Sequence, residues 1–117
     1  EDSHNFLISD GKSTLLYATD TGYWFDNSWK YLEGAKIDCM VLECSEGFAP
    51  TPYNGHLDCE EFVAVVDRLR RIGALSPHSR IVTTHHSHNG NGTHEELVRY
   101  LTEYSVEVGF DGLTIEF

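Results

Sequence analysis

Four residues have the chemistry to build a hydrolytic metal site: Asp20, Glu43, His56 and His85. Each falls just past an apolar run, at its last residue, or where a helix is about to start. Asp20 follows Thr14-Leu15-Leu16-Tyr17-Ala18-Thr19, Glu43 closes Ile37-Asp38-Cys39-Met40-Val41-Leu42, and His85 follows Ile81-Val82-Thr83-Thr84. Carboxylate oxygen and neutral imidazole nitrogen are ordinary ligands of first-row divalent metals. In an α/β sheet, residues at the ends of different strands meet along one edge however far apart they lie in sequence. Taken singly, each residue also has a plain reading. Asp20 in Thr-Asp-Thr-Gly suits a turn whose carboxylate accepts backbone N–H bonds. Glu43 suits a surface charge at a strand end, and His56 after Asn54-Gly55 suits a loop histidine.

His85 opens a cluster, His85-His86-Ser87-His88, that runs into Asn89-Gly90-Asn91-Gly92. The stretch from His86 to Asn91 has the outline of H-x-H-x-D-H, which packs metal ligands onto one strand-to-helix turn. Gly90 stands where the aspartate is needed and Asn91 where the last histidine is needed. Neither replaces an anionic or imidazole ligand well, so the match is a decoy. His4 and His78 have no partner in the pattern.

The elements that must position these residues can be read from periodicity. Phe6-Leu7-Ile8 and the run from Thr14 flank Asp10-Gly11-Lys12, a strong hairpin signal. A short helix from about Ser28 is ended by Gly34, and Ile37–Glu43 is a buried-type strand. Asp58 followed by Glu61 is a capping box that opens a helix with Cys59, Phe62, Val66 and Leu69 on its inner face. Thr93 with Glu96 repeats that signal before a helix through about Tyr104. Val106–Phe110, the Asp111-Gly112 turn and Leu113–Phe117 predict a second hairpin at the C-terminus. The expectation is α/β: a mixed sheet with flanking helices and a hairpin at each end, residues 1–117 forming one domain.

Composition narrows the function. The net charge of −11, from eight Lys plus Arg against nineteen Asp plus Glu, repels polyanions and argues against an extended nucleic-acid footprint. A bound divalent metal pair reverses the sign locally, so an enzyme acting on a phosphate ester stays compatible. No apolar run approaches the roughly 20 residues that span a bilayer, so no membrane partner is expected. Cys39, Cys44 and Cys59 lack C-x-x-C spacing and read as reduced thiols of a cytoplasmic protein. Sequence leaves a Cys44–Cys59 bridge open. The chain begins at Glu1 and its single methionine is Met40, which reads as a piece of something longer.

Tyr17-Ala18-Thr19-Asp20-Thr21-Gly22, Val41-Leu42-Glu43, Gly55-His56-Leu57 and Val82-Thr83-Thr84-His85, in that order, resemble the C-terminal half of a metallo-β-lactamase-fold hydrolase. The branch most resembled is that of the phosphonate-pathway cyclic phosphodiesterases and the tRNase Z type; Val108-Gly109-Phe110-Asp111-Gly112-Leu113 is similar to the former. The resemblance covers almost the whole chain and implies half of a four-layer αββα sandwich. It implies two divalent metal ions, Zn or Mn, with Asp20 bridging them and His85 as the last ligand. It makes His56 a general acid or leaving-group contact, Glu43 the residue that orients it, and His88 a residue with a role beyond the ligands. The resemblance thus implies a phosphodiesterase acting on a small phosphate ester through a metal-activated water. The H-x-H-x-D-H motif and a further histidine of that family are absent here, so this chain alone is expected to be inactive. The sheet face left by a missing N-terminal half predicts a homo-oligomer or association with that half. The other reading is a small non-catalytic α/β binding or scaffold domain, or a pseudo-enzyme fragment.

Overall fold

A computed structural model describes residues 3–50 and 55–117. Strands β1 (Phe6–Ser9), β2 (Thr14–Ala18), β3 (Ile37–Glu43), β4 (Leu75–Thr84) and β5 (Glu107–Val108) form one sheet in the order β1-β2-β3-β4-β5. β1 and β2 are the antiparallel hairpin expected from Asp10-Gly11-Lys12, and the remaining pairs are parallel. Parallel neighbours need crossovers, and helices supply them. These are α1 (Asp26–Leu32) between β2 and β3, α2 (Cys59–Arg71) between β3 and β4, and α3 (His94–Leu101) between β4 and β5.

The helix starts follow from their side chains. Asp58 accepts from the Glu61 N–H while the Glu61 carboxylate reaches back to the Asp58 N–H. Thr93 and Glu96 make the same reciprocal pair. Each satisfies two donors that the first helical turn leaves open. Gly34 sits at φ 82° just past α1, a conformation that costs an L side chain more than glycine.

One face of the sheet carries the core. Leu16, Met40 and Ile81 lie side by side in register, as do Ala18 and Leu42. They pack with Trp29 and Leu32 of α1, Phe62, Val65, Val66 and Leu69 of α2, and Leu97 and Leu101 of α3. The helices therefore form a single layer. The opposite face carries Leu15, Tyr17, Cys39, Val41 and Val82 and lines a groove of about 710 Å³. No helix among the described residues is long and apolar enough to cross a membrane.

Two expectations are corrected. The C-terminal hairpin does not form: β5 has two residues, pairs in parallel with β4, and residues 113–117 make no strand. The Gly109 N–H donates to the Thr83 carbonyl (3.0 Å), and a turn from Phe110 to Leu113 then sends the chain across the open sheet face. There Leu113, Ile115 and Phe117 line the groove, and Arg80 Nη1 donates to the Glu116 carbonyl at 3.2 Å. The alternating pattern was real, but its apolar side faces the sheet instead of a hairpin partner. The strand before His85 is also longer than expected, because β4 begins at Leu75. Its residues 76–79 bulge out of register with β3, which accommodates Pro77, a residue with no ladder donor.

Candidate metal centre

Register dictates the site. Ala18, Leu42 and Thr83 are cross-strand neighbours, so two residues further on Asp20, Cys44 and His85 emerge together at the C-terminal edge of the parallel strands. Asp20 and His85 both hold left-handed backbone, at φ 51° and 58°. That region is sparsely used by non-glycine residues, and it clusters where function fixes the backbone. Both residues are exposed at the mouth of the site.

Two loops hold His85. The Cys44 N–H donates to the Thr84 carbonyl (3.0 Å), the Ser87 N–H to the Ser45 carbonyl (3.1 Å), and the Phe48 N–H to the Gly90 carbonyl (2.8 Å). At Gly47 a Cβ would lie 2.8 Å from the Gly90 oxygen, so only glycine lets the loops approach this closely. Ser45 then fixes the imidazole. Its Oγ lies 2.7 Å from the His85 carbonyl and 2.7 Å from His85 Nδ1. A hydroxyl has one proton. Donating it to the carbonyl leaves Oγ to accept from Nδ1–H, which leaves the Nε2 lone pair of neutral His85 on the side of Asp20.

Glu43 fixes His56 in the same manner. Its carboxylate is fully buried, and His56 Nδ1 lies 3.0 and 3.1 Å from its two oxygens. The backbone N–H groups of Thr21 (2.6 Å), Leu57 (3.3 Å) and Ser45 (3.4 Å) also donate to it. A buried carboxylate is tolerable only with such donors. Glu43 therefore ties together the segments that follow β2, end β3 and precede α2. A carboxylate behind a histidine is a recurrent arrangement in metal sites, where it sets ring orientation and tautomer.

The three remaining donors converge. One ligand atom from each of Asp20, His56 and His85 lies within 4.8 Å of the others. His85 Nε2 and Asp20 Oδ1 are 3.4 Å apart. Two ligands with bonds of about 2.0–2.2 Å to one tetrahedral ion stand roughly 3.3–3.6 Å apart. The donor set and its spacing thus fit a divalent ion. His56, expected to act as an acid, is also placed as a candidate ligand, its ring centroid 5.6 Å from that of His85.

The other histidines fall outside. His88 is exposed in the turn beyond the strand and does not join the cluster. His86 Nε2 lies 2.7 Å from Thr83 Oγ1, and partial burial of its ring, with His94 and His85 nearby, lowers its pKa. Sequence reasoning missed Ser45. Its only signal was its place two residues beyond Glu43, at the start of a stretch that read as loop.

No family model and no curated protein matches the chain. Among solved structures it is similar to the metallo-β-lactamase fold protein YhfI from Bacillus subtilis, with a TM-score of 0.65 at 23% identity. The chain shares the fold of part of that metallo-β-lactamase fold protein. The match covers 93% of this chain and 42% of YhfI, so the chain spans less than half the length of that structure.

Proposed function

We propose that this chain is the C-terminal portion of a binuclear metal-dependent phosphodiesterase, cleaving a small phosphate ester with a metal-activated water. The observation that carries the reading is the convergence of Asp20, His56 and His85, with both imidazole rings already oriented by Glu43 and Ser45. A pair of divalent ions, Zn or Mn, would supply a water of lowered pKa and neutralise phosphoryl charge. Asp20 and His85 would hold the metal. Glu43 keeps the His56 Nδ1 proton engaged, so any proton passed to a leaving oxygen moves through Nε2. Tyr17, Thr84 and Phe110 flank His85 along the groove and give a substrate both apolar and polar contacts.

Asp20 and His85, even with His56 as a third donor in place of its acid role, fall short of the roughly three protein ligands that each of two catalytic ions needs. The chain by itself is therefore inactive in this reading, and the missing ligands come from the part of the fold it does not span. The groove along Leu15, Val41 and Val82 supports association of that face with the N-terminal half or with a second copy. Zinc and manganese titrations of the chain, beside Asp20→Ala and His85→Ala, test the site. Measurable binding, lost in both variants, supports it. Binding that ignores both substitutions refutes it and favours a scaffold domain. Hydrolysis of an activated phosphodiester by the longer protein, abolished by Asp20→Ala, tests the activity.

A further inference from the structure

Cys44 and Cys59 occupy positions the proposed reaction does not use. Cys44 lies between Glu43 and Ser45, the residues that orient His56 and His85. Cys59 is the first residue of α2, three positions beyond His56. Both thiols are buried and free, and their sulfurs are 3.7 Å apart. The backbone already joins the two segments: the Glu46 N–H donates to the Leu57 carbonyl (3.0 Å) and the Cys59 N–H to the Gly47 carbonyl (2.8 Å). We propose that Cys44 and Cys59 are a modification site, closing to a reversible disulfide that loosens metal at the Asp20–His56–His85 centre.

The coupling follows from geometry and rests on the metal reading above. An S–S bond needs ~2.05 Å between the sulfurs, so closure draws the end of β3 and the start of α2 together. Glu43 bonds both segments, through Ser45 on one side and Leu57 and His56 on the other, with contacts of 3.0–3.4 Å. Whatever part of that approach the backbone takes displaces these contacts and loosens the fixed orientations of His56 and His85.

Access and reactivity favour Cys59 as the attacking sulfur. It lines a surface cavity of about 200 Å³ with Gly47, Phe48, Asp58 and Tyr100. The hydrogen bond from Cys44 lowers its pKa against the opposing effects of burial and Asp58, and a helix N-terminus favours a thiolate. Cys44, buried and donating that bond, is pushed up. A peroxide is the matching oxidant. The Cys59 thiolate attacks one peroxide oxygen, the O–O bond breaks, and hydroxide takes up the Cys59 proton and leaves as water. The Cys44 sulfur then attacks the sulfenic sulfur, the S–O bond breaks, and a second water leaves with the Cys44 proton. Two thiols are oxidised and one peroxide becomes two waters.

The test treats the chain with hydrogen peroxide, blocks remaining thiols, and maps peptides by mass spectrometry. The expected product is a Cys44–Cys59 linked peptide, two hydrogens lighter and reversed by dithiothreitol, with Cys39 still blocked as a thiol. Zinc affinity, read by chelator competition, is expected to fall about 10–100-fold on oxidation, as when a residue behind a metal ligand is lost. In Cys59→Ser it is expected to ignore peroxide. Oxidation of Cys59 to sulfinic acid without the linked peptide overturns the proposal. So does a linked chain that holds zinc as tightly as the reduced one. A reduced chain that binds no zinc overturns the metal reading and the coupling with it, while the linked peptide, which needs no variant, still decides the bond.

Discussion

Glu43→Gln is the most discriminating substitution because shape is kept while one oxygen becomes an N–H donor. Oε1 accepts from the Thr21 N–H, and Oε2 from the N–H groups of Leu57 and Ser45. Whichever way the amide turns, its NH2 faces at least one buried backbone N–H. Leaving one such donor unpaired costs about 1–3 kcal/mol, and weakening the remaining bonds from charged to neutral acceptor costs about 1 kcal/mol more. Relief of the buried charge returns part of this. The net loss is about 1–3 kcal/mol, or roughly 4–12 °C in Tm for a domain of this size. The same change puts an NH2 in place of one of the two oxygens facing His56 Nδ1 and removes the charge that favours its Nδ1–H tautomer, so zinc affinity should fall about 10–100-fold. Thermal unfolding by circular dichroism and chelator competition read the two effects. A Tm within about 3 °C of the parent would refute the assignment of Glu43 as the joint of three segments. Unchanged zinc affinity would refute its role behind His56.

Ser45→Ala removes the Oγ that accepts from His85 Nδ1, and zinc affinity should drop about tenfold with little loss of stability; histidine nitrogen NMR shifts report the tautomer. Gly109→Ala would place a Cβ 2.2 Å from the Thr83 carbonyl oxygen, so it should cost about 1–3 kcal/mol in urea unfolding and free the tail that crosses the sheet. Arg80 holds Glu107 through two contacts of 2.7 and 2.8 Å, and that pairing lowers the Glu107 pKa from 4.5. A lowered carboxylate contributes stability that is present above its unfolded value and lost as pH falls through the folded one. Glu107 is exposed and Arg80 half-buried, so solvent screens the pair and Arg80→Ala should cost under about 1 kcal/mol from the ion pair at pH 7, with the difference from the parent shrinking below pH 4; equal differences at pH 7 and pH 3 would contradict this.

Much of the fold was legible because its signals are local. Capping boxes at Asp58 and Thr93, the Asp10-Gly11-Lys12 turn and the buried-type strand at Ile37 each depend on residues within a few positions of one another. The C-terminal hairpin failed for the opposite reason. Leu113, Ile115 and Phe117 alternate as a strand should, yet period-two alternation only says that one side is apolar. It cannot say whether that side meets a neighbouring strand or the face of a sheet formed 70 residues earlier. The contact that decides it, Gly109 with Thr83, is between segments far apart in sequence.

For the site, the sequence alone determined which residues have usable chemistry and that Asp20, Glu43 and His85 leave strands at their C-terminal ends. Parallel pairing makes that sufficient to bring them to one edge. Only the tertiary structure decided what each does there. Glu43 looked as much like a surface charge as a functional one until burial and four converging donors made it the joint. Ser45 had no signal, because its function is a pair of hydrogen bonds to a residue forty positions away. His88 and His85 are chemically identical in sequence. Register places one beside Asp20 and leaves the other in solvent, since sheet pairing fixes position to a single residue while composition does not.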